Sequence, residues 1–96
     1  MSDRELAEKV SSAAYRAAVN RGQTSSCSSA KTLTLVLRRI NKTATGYGFT
    51  RTNLVGCATP VQIMQSIEAL QTVGVIERVS AFFYRLLPVN RWKITT

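Results

Sequence analysis

The segment that most constrains the fold of this chain runs from Thr59 to Ile76, with the sequence TPVQIMQSIEALQTVGVI. It begins with a threonine that can cap a helix and a proline at the first helical position, and both favour a helix start. Gly74 favours the left-handed conformation in which helices end. The apolar residues between these signals recur at the spacing of one buried helical stripe, at Ile63, Ile67, Leu70 and Val73. The segment therefore predicts a helix with one buried face, followed directly by a strand.

Residues 2–20 predict a first helix. Ser2 can act as its N-cap, and Glu5, three residues later, completes a capping box. A narrow apolar stripe follows, formed by Leu6, Val10, Ala13, Ala14 and Ala17. We expect this stripe to dock on the rest of the chain or to pair with its own copy in a dimer. Residues 1–22 are thus assigned to an N-terminal helix for docking or dimerisation, and the polar residues 23–30 to a loop.

The segment from Lys31 to Lys42 has an apolar pattern that fits both a strand and a helix. Its leucines at positions 33, 35 and 37 alternate as in a strand, whereas a helix would have one apolar face formed by Leu33, Val36, Leu37 and Ile40. Residues 43–49, with two glycines around Tyr47, predict a loop. A short helix is expected from its cap Thr50 to Val55 or Gly56, and residues 56–58 would turn into the helix at Thr59.

The residues after Gly74 predict strands. From Val75 to Tyr84, apolar residues occur on both alternating faces, so that the period alone does not identify the buried face. Residues 88–90 interrupt this pattern, and residues 91–96 predict a last strand with Trp92 and Ile94 on one face. We expect these two strands to form a hairpin, although no Asn-Gly or Asp-Gly marks its turn.

The charge of the chain indicates a polyanionic partner. Thirteen lysines and arginines against five acidic residues give a net charge of +8. Three of the acids lie within the first nine residues, so that only Glu68 and Glu77 remain in the rest of the chain. Nucleic acids are the commonest polyanions that such a basic domain attracts. The alternative is that some of these cations are ordinary solvated charges.

The residue types argue against catalysis and metal binding. The chain has no histidine, and therefore lacks the commonest general base and zinc ligand. Its two cysteines have no partners at metal-site spacing, so we expect Cys57 to be a small buried residue and Cys27 an exposed thiol. Glu68 and Glu77 are expected to pair with basic groups rather than to act as an acid and a base. The sequence predicts no enzyme, no cofactor and no metal site.

The N-terminus and the hydropathy bear on location. The first ten residues, MSDRELAEKV, are too charged for a secretory signal. No stretch resembles a span of about 18 apolar residues, the minimum for a membrane helix. We therefore expect no membrane partner and a cytoplasmic location, with the nucleoid if the source is bacterial.

The order of predicted elements resembles that of winged helix-turn-helix DNA-binding domains. The resemblance rests on the succession helix, helix, helix, strand, strand over residues 31–96 and on the pattern from Thr59 to Ile76. Small phage, plasmid and bacterial regulators are closest in general character. The resemblance implies an α+β fold with a three-helix core and a C-terminal β-hairpin wing, preceded here by an extra N-terminal helix. It also favours the helical interpretation of residues 31–42.

In that family the third helix enters the major groove and the wing touches the backbone or the minor groove. Gln62 and Gln65 then matter most, because an amide can bond to adenine in the major groove. The residues expected to read bases are Val61, Gln62, Met64, Gln65 and Ser66. The third helix has no arginine or lysine, so contacts to the DNA backbone are expected from Thr50, Arg51, Thr59, Arg38, Arg39, Lys42, Arg85, Asn90, Arg91 and Lys93.

These features together predict a sequence-specific binder of double-stranded DNA. It would be a small transcriptional regulator that occupies a promoter or operator as a homodimer, since two half-sites raise specificity. The alternative is a protein-interaction adaptor or inhibitor, favoured by the uncharged third helix and the apolar stretch Phe82–Val89. A third interpretation is single-strand binding, in which the aromatic residues 82–84 beside Arg85 stack on bases.

Overall fold

The chain has an α+β fold, which confirms the predicted class. The computed structural model describes residues 2–20, 22, 29–43 and 48–94, and within them three α-helices pack with a three-stranded antiparallel sheet. The helices are α1 (Asp3–Asn20), α2 (Ala30–Thr43) and α3 (Pro60–Thr72). The strands are β1 (Phe49–Thr50), β2 (Ile76–Arg78) and β3 (Phe83–Leu86), and short 3-10 helices span Arg51–Leu54 and Val89–Arg91.

Helix α1 begins where the sequence predicts. The Ser2 hydroxyl oxygen accepts the Glu5 N–H at 3.2 Å and the hydroxyl donates to the Glu5 carboxylate, also at 3.2 Å. The predicted stripe is turned slightly, because Ala17 is only half-buried while the buried face consists of Leu6, Ala7, Val10, Ala14 and Ala18. This face packs on α2 and α3. The apolar side of α1 therefore lies in the core of the chain.

The segment 30–43 is helical, so the strand interpretation of its leucines is wrong. Ser29 caps α2 by accepting the Thr32 N–H on its hydroxyl oxygen at 3.2 Å. Leu35, which a strand would bury together with Leu33 and Leu37, is exposed. The Asn41 amide near the end of α2 donates to the Asp3 carboxylate at 2.7 Å, so α1 and α2 run in opposite directions.

The residues between α2 and α3 differ from the prediction in two ways. Phe49, expected in a loop, belongs to β1, and its ring stacks on that of Tyr84 with 5.8 Å between the centroids. The short helix expected after Thr50 is a single 3-10 turn that ends at the fully buried Leu54. The Thr50 N–H donates to the side-chain oxygen of Asn53 at 2.8 Å, and this bond caps the start of the turn. Residues 44–47 of the predicted loop, like 23–28 of the polar loop, lie outside the described residues.

The hairpin lies earlier in the chain than predicted. Strand β3 is central, with β1 on one side and β2 on the other, and Ile76 faces Leu86 across the hairpin while Arg78 faces Tyr84. The turn therefore falls at residues 79–82, in the middle of the expected first strand. Residues 91–94 are not a strand; Trp92 and Ile94 nonetheless pack against the core. The alternation of residues 75–84 indicated one continuous strand, whereas these residues include β2, the turn and the start of β3.

Helix α3 follows its sequence signals closely. The Thr59 hydroxyl oxygen accepts the Gln62 N–H at 3.2 Å, and the Gln62 side-chain oxygen accepts the Thr59 N–H at 3.0 Å. At the other end Gly74 has a φ of +76°, as predicted for the left-handed end of a helix. Ile63, Ile67, Leu70 and Val73 are all buried as predicted. The helix thus turns its opposite side away from the core.

Candidate nucleic-acid interface

The outward side of α3 carries most of the residues that were expected to read bases. Val61 and Met64 are 64% and 55% exposed, Gln62 is exposed and Gln65 is half-buried. These four residues occupy the first turns of the helix, where Pro60 and the Thr59 cap fix its start. The surface they form is uncharged and partly apolar.

Ser66 does not belong to this surface, so its assignment as a base-reading residue is wrong. The residue is completely buried, and its hydroxyl donates to the Gln62 carbonyl at 2.8 Å. A serine one turn from Ile63 and Leu70 lies on the inward side of the helix, and the backbone bond satisfies its polar atom there. A polar residue type suggested exposure where helical geometry required burial.

The Thr59 cap already uses groups that were expected to contact DNA. The Gln62 amide oxygen accepts the Thr59 N–H, so reading an adenine with both amide atoms would require this cap bond to open. The same bond occupies the N–H of Thr59, a residue that was expected to contact the DNA backbone. Of the two glutamines, Gln65 is the one whose side chain is not part of the Thr59 cap.

A shallow cleft of about 270 Å³ lies between α3 and the sheet. Helix α3 lines it with Met64, Ile67, Glu68 and Gln71. The 3-10 helix before α3 contributes Arg51, β2 contributes Arg78 and β3 contributes Tyr84. Two arginines and one glutamate therefore line the cleft along the outward side of α3. Arg51 is one of the residues that were expected to contact the DNA backbone.

Arg78 lines the cleft, although the sequence pattern did not indicate it as a site residue. Its guanidinium donates to the carbonyl of Ser80 at 3.1 Å and to that of Ala81 at 3.4 Å, and so holds the hairpin turn. Because the prediction ran one strand through this position, Arg78 looked like an ordinary mid-strand charge. The available signal was an arginine two residues before the small residues Ser80 and Ala81.

The other predicted backbone contacts on α2 and the sheet are placed differently. Arg39 is half-buried and donates to the Asn53 carbonyl at 3.3 Å, which ties α2 to the 3-10 helix. Arg38 and Lys42 are exposed on α2. Arg85 forms an ion pair with Glu77, the residue directly opposite it in the hairpin. The expected pairing of Glu77 with a basic group is thus confirmed.

Arg91 and Lys93 were expected in the last strand of the hairpin, and that expectation is wrong. The Lys93 N–H donates to the Val73 carbonyl at 2.6 Å, and the Arg91 carbonyl lies beside Gly74, with the exposed Asn90 next to it. These residues therefore lie at the C-terminal end of α3. That end is roughly 20 Å from the first turn, at 1.5 Å per residue. The displacement follows from the earlier position of the hairpin.

The stretch Phe82–Val89 is not one exposed apolar surface. Phe82 is 75% exposed, Phe83 is half-buried, and Tyr84 is buried against Phe49. Leu86 packs against the core. The alternation of β3 turns Tyr84 inward, because successive side chains of a strand point to opposite faces. Stacking on bases by all three aromatic residues is therefore excluded.

The described residues contain neither a metal-binding cluster nor a helix that could span a membrane. No group of three or more Cys, Asp or Glu side chains there could hold a metal ion. Cys57 is half-buried and packs against the core, whereas Cys27 lies outside these ranges. No helix in the described part of the chain has the length and hydropathy needed to cross a membrane.

Comparison with known proteins gave no relative. The chain matches no protein-family model, no curated protein and no solved structure.

Proposed function

We propose that this protein binds double-stranded DNA through α3 and the adjoining hairpin, in a winged-helix-like arrangement. The observation that carries the proposal is the cleft in which Arg51 and Arg78 border the outward side of α3. A helix that presents an uncharged reading face needs cations beside it to hold phosphates, because phosphate contacts position a protein while base contacts specify the sequence. The net charge of +8 supports the same partner.

Within this proposal the residues have separate tasks. Gln65, Met64 and Val61 would meet base edges in the major groove, where amides bond to adenine and apolar groups contact the thymine methyl. Arg51 would bind a phosphate beside them. A single short helix reads few base pairs, so a homodimer on two half-sites would supply the specificity of a small transcriptional regulator that acts by occupancy.

The first experiment is a fluorescence anisotropy titration of the wild type and Arg51→Gln with random duplex and single-stranded DNA at several salt concentrations. We expect duplex binding that weakens with salt, and a log–log salt slope smaller by about 0.9 in Arg51→Gln, the value for one lost phosphate contact on duplex DNA. A binding-site selection with the wild type would then define the preferred sequence.

The matched control is Arg16→Gln. Arg16 is an exposed arginine on α1 that borders a different groove, with Glu8, Lys9, Ser12 and Ile94. Arg16 carries the same charge as Arg51, so both variants should lose nearly the same amount of general electrostatic attraction to DNA. Equal salt slopes in the two variants would contradict the assignment of Arg51, and the absence of salt-dependent duplex binding by the wild type would contradict the proposed function.

A second candidate function is that of a protein-interaction adaptor on the same scaffold. It is favoured by the exposed apolar side chains Val55, Val61 and Met64 and by Glu68, which would repel phosphates at the edge of the cleft. Exposed apolar residues of this kind are commonly interaction sites. Association with a protein partner that Met64→Ser abolishes, in a chain that does not bind duplex DNA, would favour the adaptor.

A further inference from the structure

The tip of the hairpin presents an exposed aromatic side chain. Phe82 is 75% exposed, the largest exposure among the large apolar residues that the structure describes, and Val79 across the same turn is 54% exposed. A phenylalanine left in water forgoes the favourable free energy of burial that a core position would provide. The neighbouring Phe83 is half-buried beside Gly48, and Tyr84 is buried against Phe49. The tip is therefore an apolar point rather than part of a broad apolar face.

The turn that carries Phe82 is held by several hydrogen bonds. The Val79 and Ser80 N–H groups both donate to the Phe83 carbonyl, at 2.8 and 3.2 Å. The Arg78 guanidinium closes the turn from the side by bonding to two of its carbonyls. A side chain on such a preorganised turn loses little backbone entropy when it binds a partner.

The electrostatic surroundings of the tip favour a polyanion. The turn itself has no acidic residue, Arg78 precedes it, and Arg85 follows on β3 with its charge balanced by Glu77. Arg78 also borders the cleft beside the outward side of α3. The hairpin base and α3 thus adjoin one another, so a duplex bound along α3 would lie close to the tip.

We propose that Phe82 acts as a wedge that inserts between adjacent base pairs of the bound duplex from the minor groove. This inference rests on the proposed function. Apolar wedges of this kind unstack a base step and kink the duplex by about 20–90°. A base stack is the part of a polyanion that offers an apolar slot to an aromatic ring, and Val79 would pack against the adjoining sugars. The protein is then a DNA-bending regulator, and flexible pyrimidine–purine steps are the preferred position of the wedge.

The test measures bending and affinity on the same DNA. A duplex that carries the selected site and a fluorophore at each end would be titrated with wild type, Phe82→Ala and Phe82→Leu, and its end-to-end distance followed by energy transfer. We expect the wild type to shorten this distance. Phe82→Ala should abolish the shortening and weaken binding by about tenfold, within the range for loss of one base–aromatic stack. Phe82→Leu should retain part of the bend.

Tyr15→Ala provides the matched control. Tyr15 is an aromatic residue on α1 with 62% exposure, so its removal changes the composition of the surface without touching the hairpin. It should leave both bending and affinity at the wild-type level. Since Phe82 is exposed, we also expect Phe82→Ala to unfold at the wild-type temperature.

Several results would overturn the wedge. Equal bending by the wild type and Phe82→Ala, or tight binding by the wild type without bending, contradicts the wedge and leaves the proposed function intact. If the wild type binds no duplex, both proposals fail. Binding of the wild type to vesicles of phosphatidylcholine and phosphatidylserine instead of duplex, lost in Phe82→Ala, would identify the tip as a membrane anchor.

Discussion

At the scale of single residues, Gln62 and Gln65, the two glutamines in the first turns of α3, have different structural roles. Gln62 completes the capping box of the helix, while Gln65 lies one turn further along, outside the cap. A capping residue contributes to stability, whereas a residue that reads bases contributes only when DNA is bound. The same substitution at the two positions should therefore separate helix stability from recognition.

We expect Gln62→Ala to lower the free energy of unfolding by about 0.5–1 kcal/mol through loss of the cap bond. Gln65→Ala should leave stability within about 0.5 kcal/mol of the wild type. It should instead reduce discrimination at one position of the selected DNA site by about 1–3 kcal/mol. Urea unfolding and titrations with single-base variants of the site measure these quantities. Unchanged discrimination in Gln65→Ala would remove it from the reading set.

At the scale of secondary-structure elements, the approach of β1 to β3 depends on Gly48. Its φ is +101°, and an added Cβ atom would collide with the Tyr84 carbonyl oxygen and lie 2.8 Å from the Phe83 ring. Both of these neighbours belong to β3. Any side chain at position 48 would push β1 away from the central strand and separate the stacked rings of Phe49 and Tyr84.

We expect Gly48→Ala to lower the free energy of unfolding by about 2 kcal/mol or more, because backbone strain adds to a collision that the sheet cannot relieve. Gly56→Ala is the control, since Gly56 has a similar φ of +95° with no atom within 4 Å of the added carbon. It should cost only the conformational strain, about 1–2 kcal/mol. Equal losses in the two variants, measured by thermal or urea unfolding, would show that packing on β3 contributes nothing.

The elements also differ in how far the sequence alone predicted them. Helix α3 carries its own start and stop signals, and so its limits and its buried stripe were predicted correctly. Strand β1 has only two residues and exists because Phe49 pairs with Tyr84, far along the chain, so no local pattern could indicate it. The hairpin turn lacks the glycine-containing pairs that mark tight turns.

The candidate site, like the secondary structure, could be predicted from the sequence only in part. Exposure of Val61 and Met64 follows from helical period and the four buried apolar positions. Burial of Ser66 required knowledge that its hydroxyl bonds to the helix backbone, and the role of Arg78 required the position of the turn. Local periodicity thus predicts which side of a helix faces outward, whereas tertiary pairing decides which cations lie beside it.

At the scale of the whole molecule, one core includes all three α-helices and the sheet. Val10 on α1 is completely buried in the same cluster as Leu33, Leu70 and Phe49, and Trp92 packs against that cluster from the end of the described chain. A small chain that shares one core is expected to unfold in a single cooperative step. A destabilising substitution on α1 should then also shift the unfolding transition that Trp92 reports.

We expect Val10→Ala to lower the free energy of unfolding by about 1–3 kcal/mol, because it deletes buried methyl groups and leaves a cavity. Far-ultraviolet circular dichroism reports the helices, and the fluorescence of Trp92, the single tryptophan, reports the packing of residues near the C-terminal end of the described chain against the core. Both transitions should shift by the same amount. A shift confined to the circular dichroism signal would mean that α1 unfolds by itself.

The bond between the Lys93 N–H and the Val73 carbonyl has a consequence for the order of events during synthesis. The carbonyl of Val73, directly after α3, accepts a hydrogen bond from a residue that is synthesised twenty residues later. The Val75 carbonyl likewise accepts the N–H of Leu87. While the chain is still emerging from the ribosome, the end of α3 has only water as a partner for these groups. The last of these hydrogen bonds at the end of the helix that we propose faces DNA can therefore form only after residue 93 has left the exit tunnel.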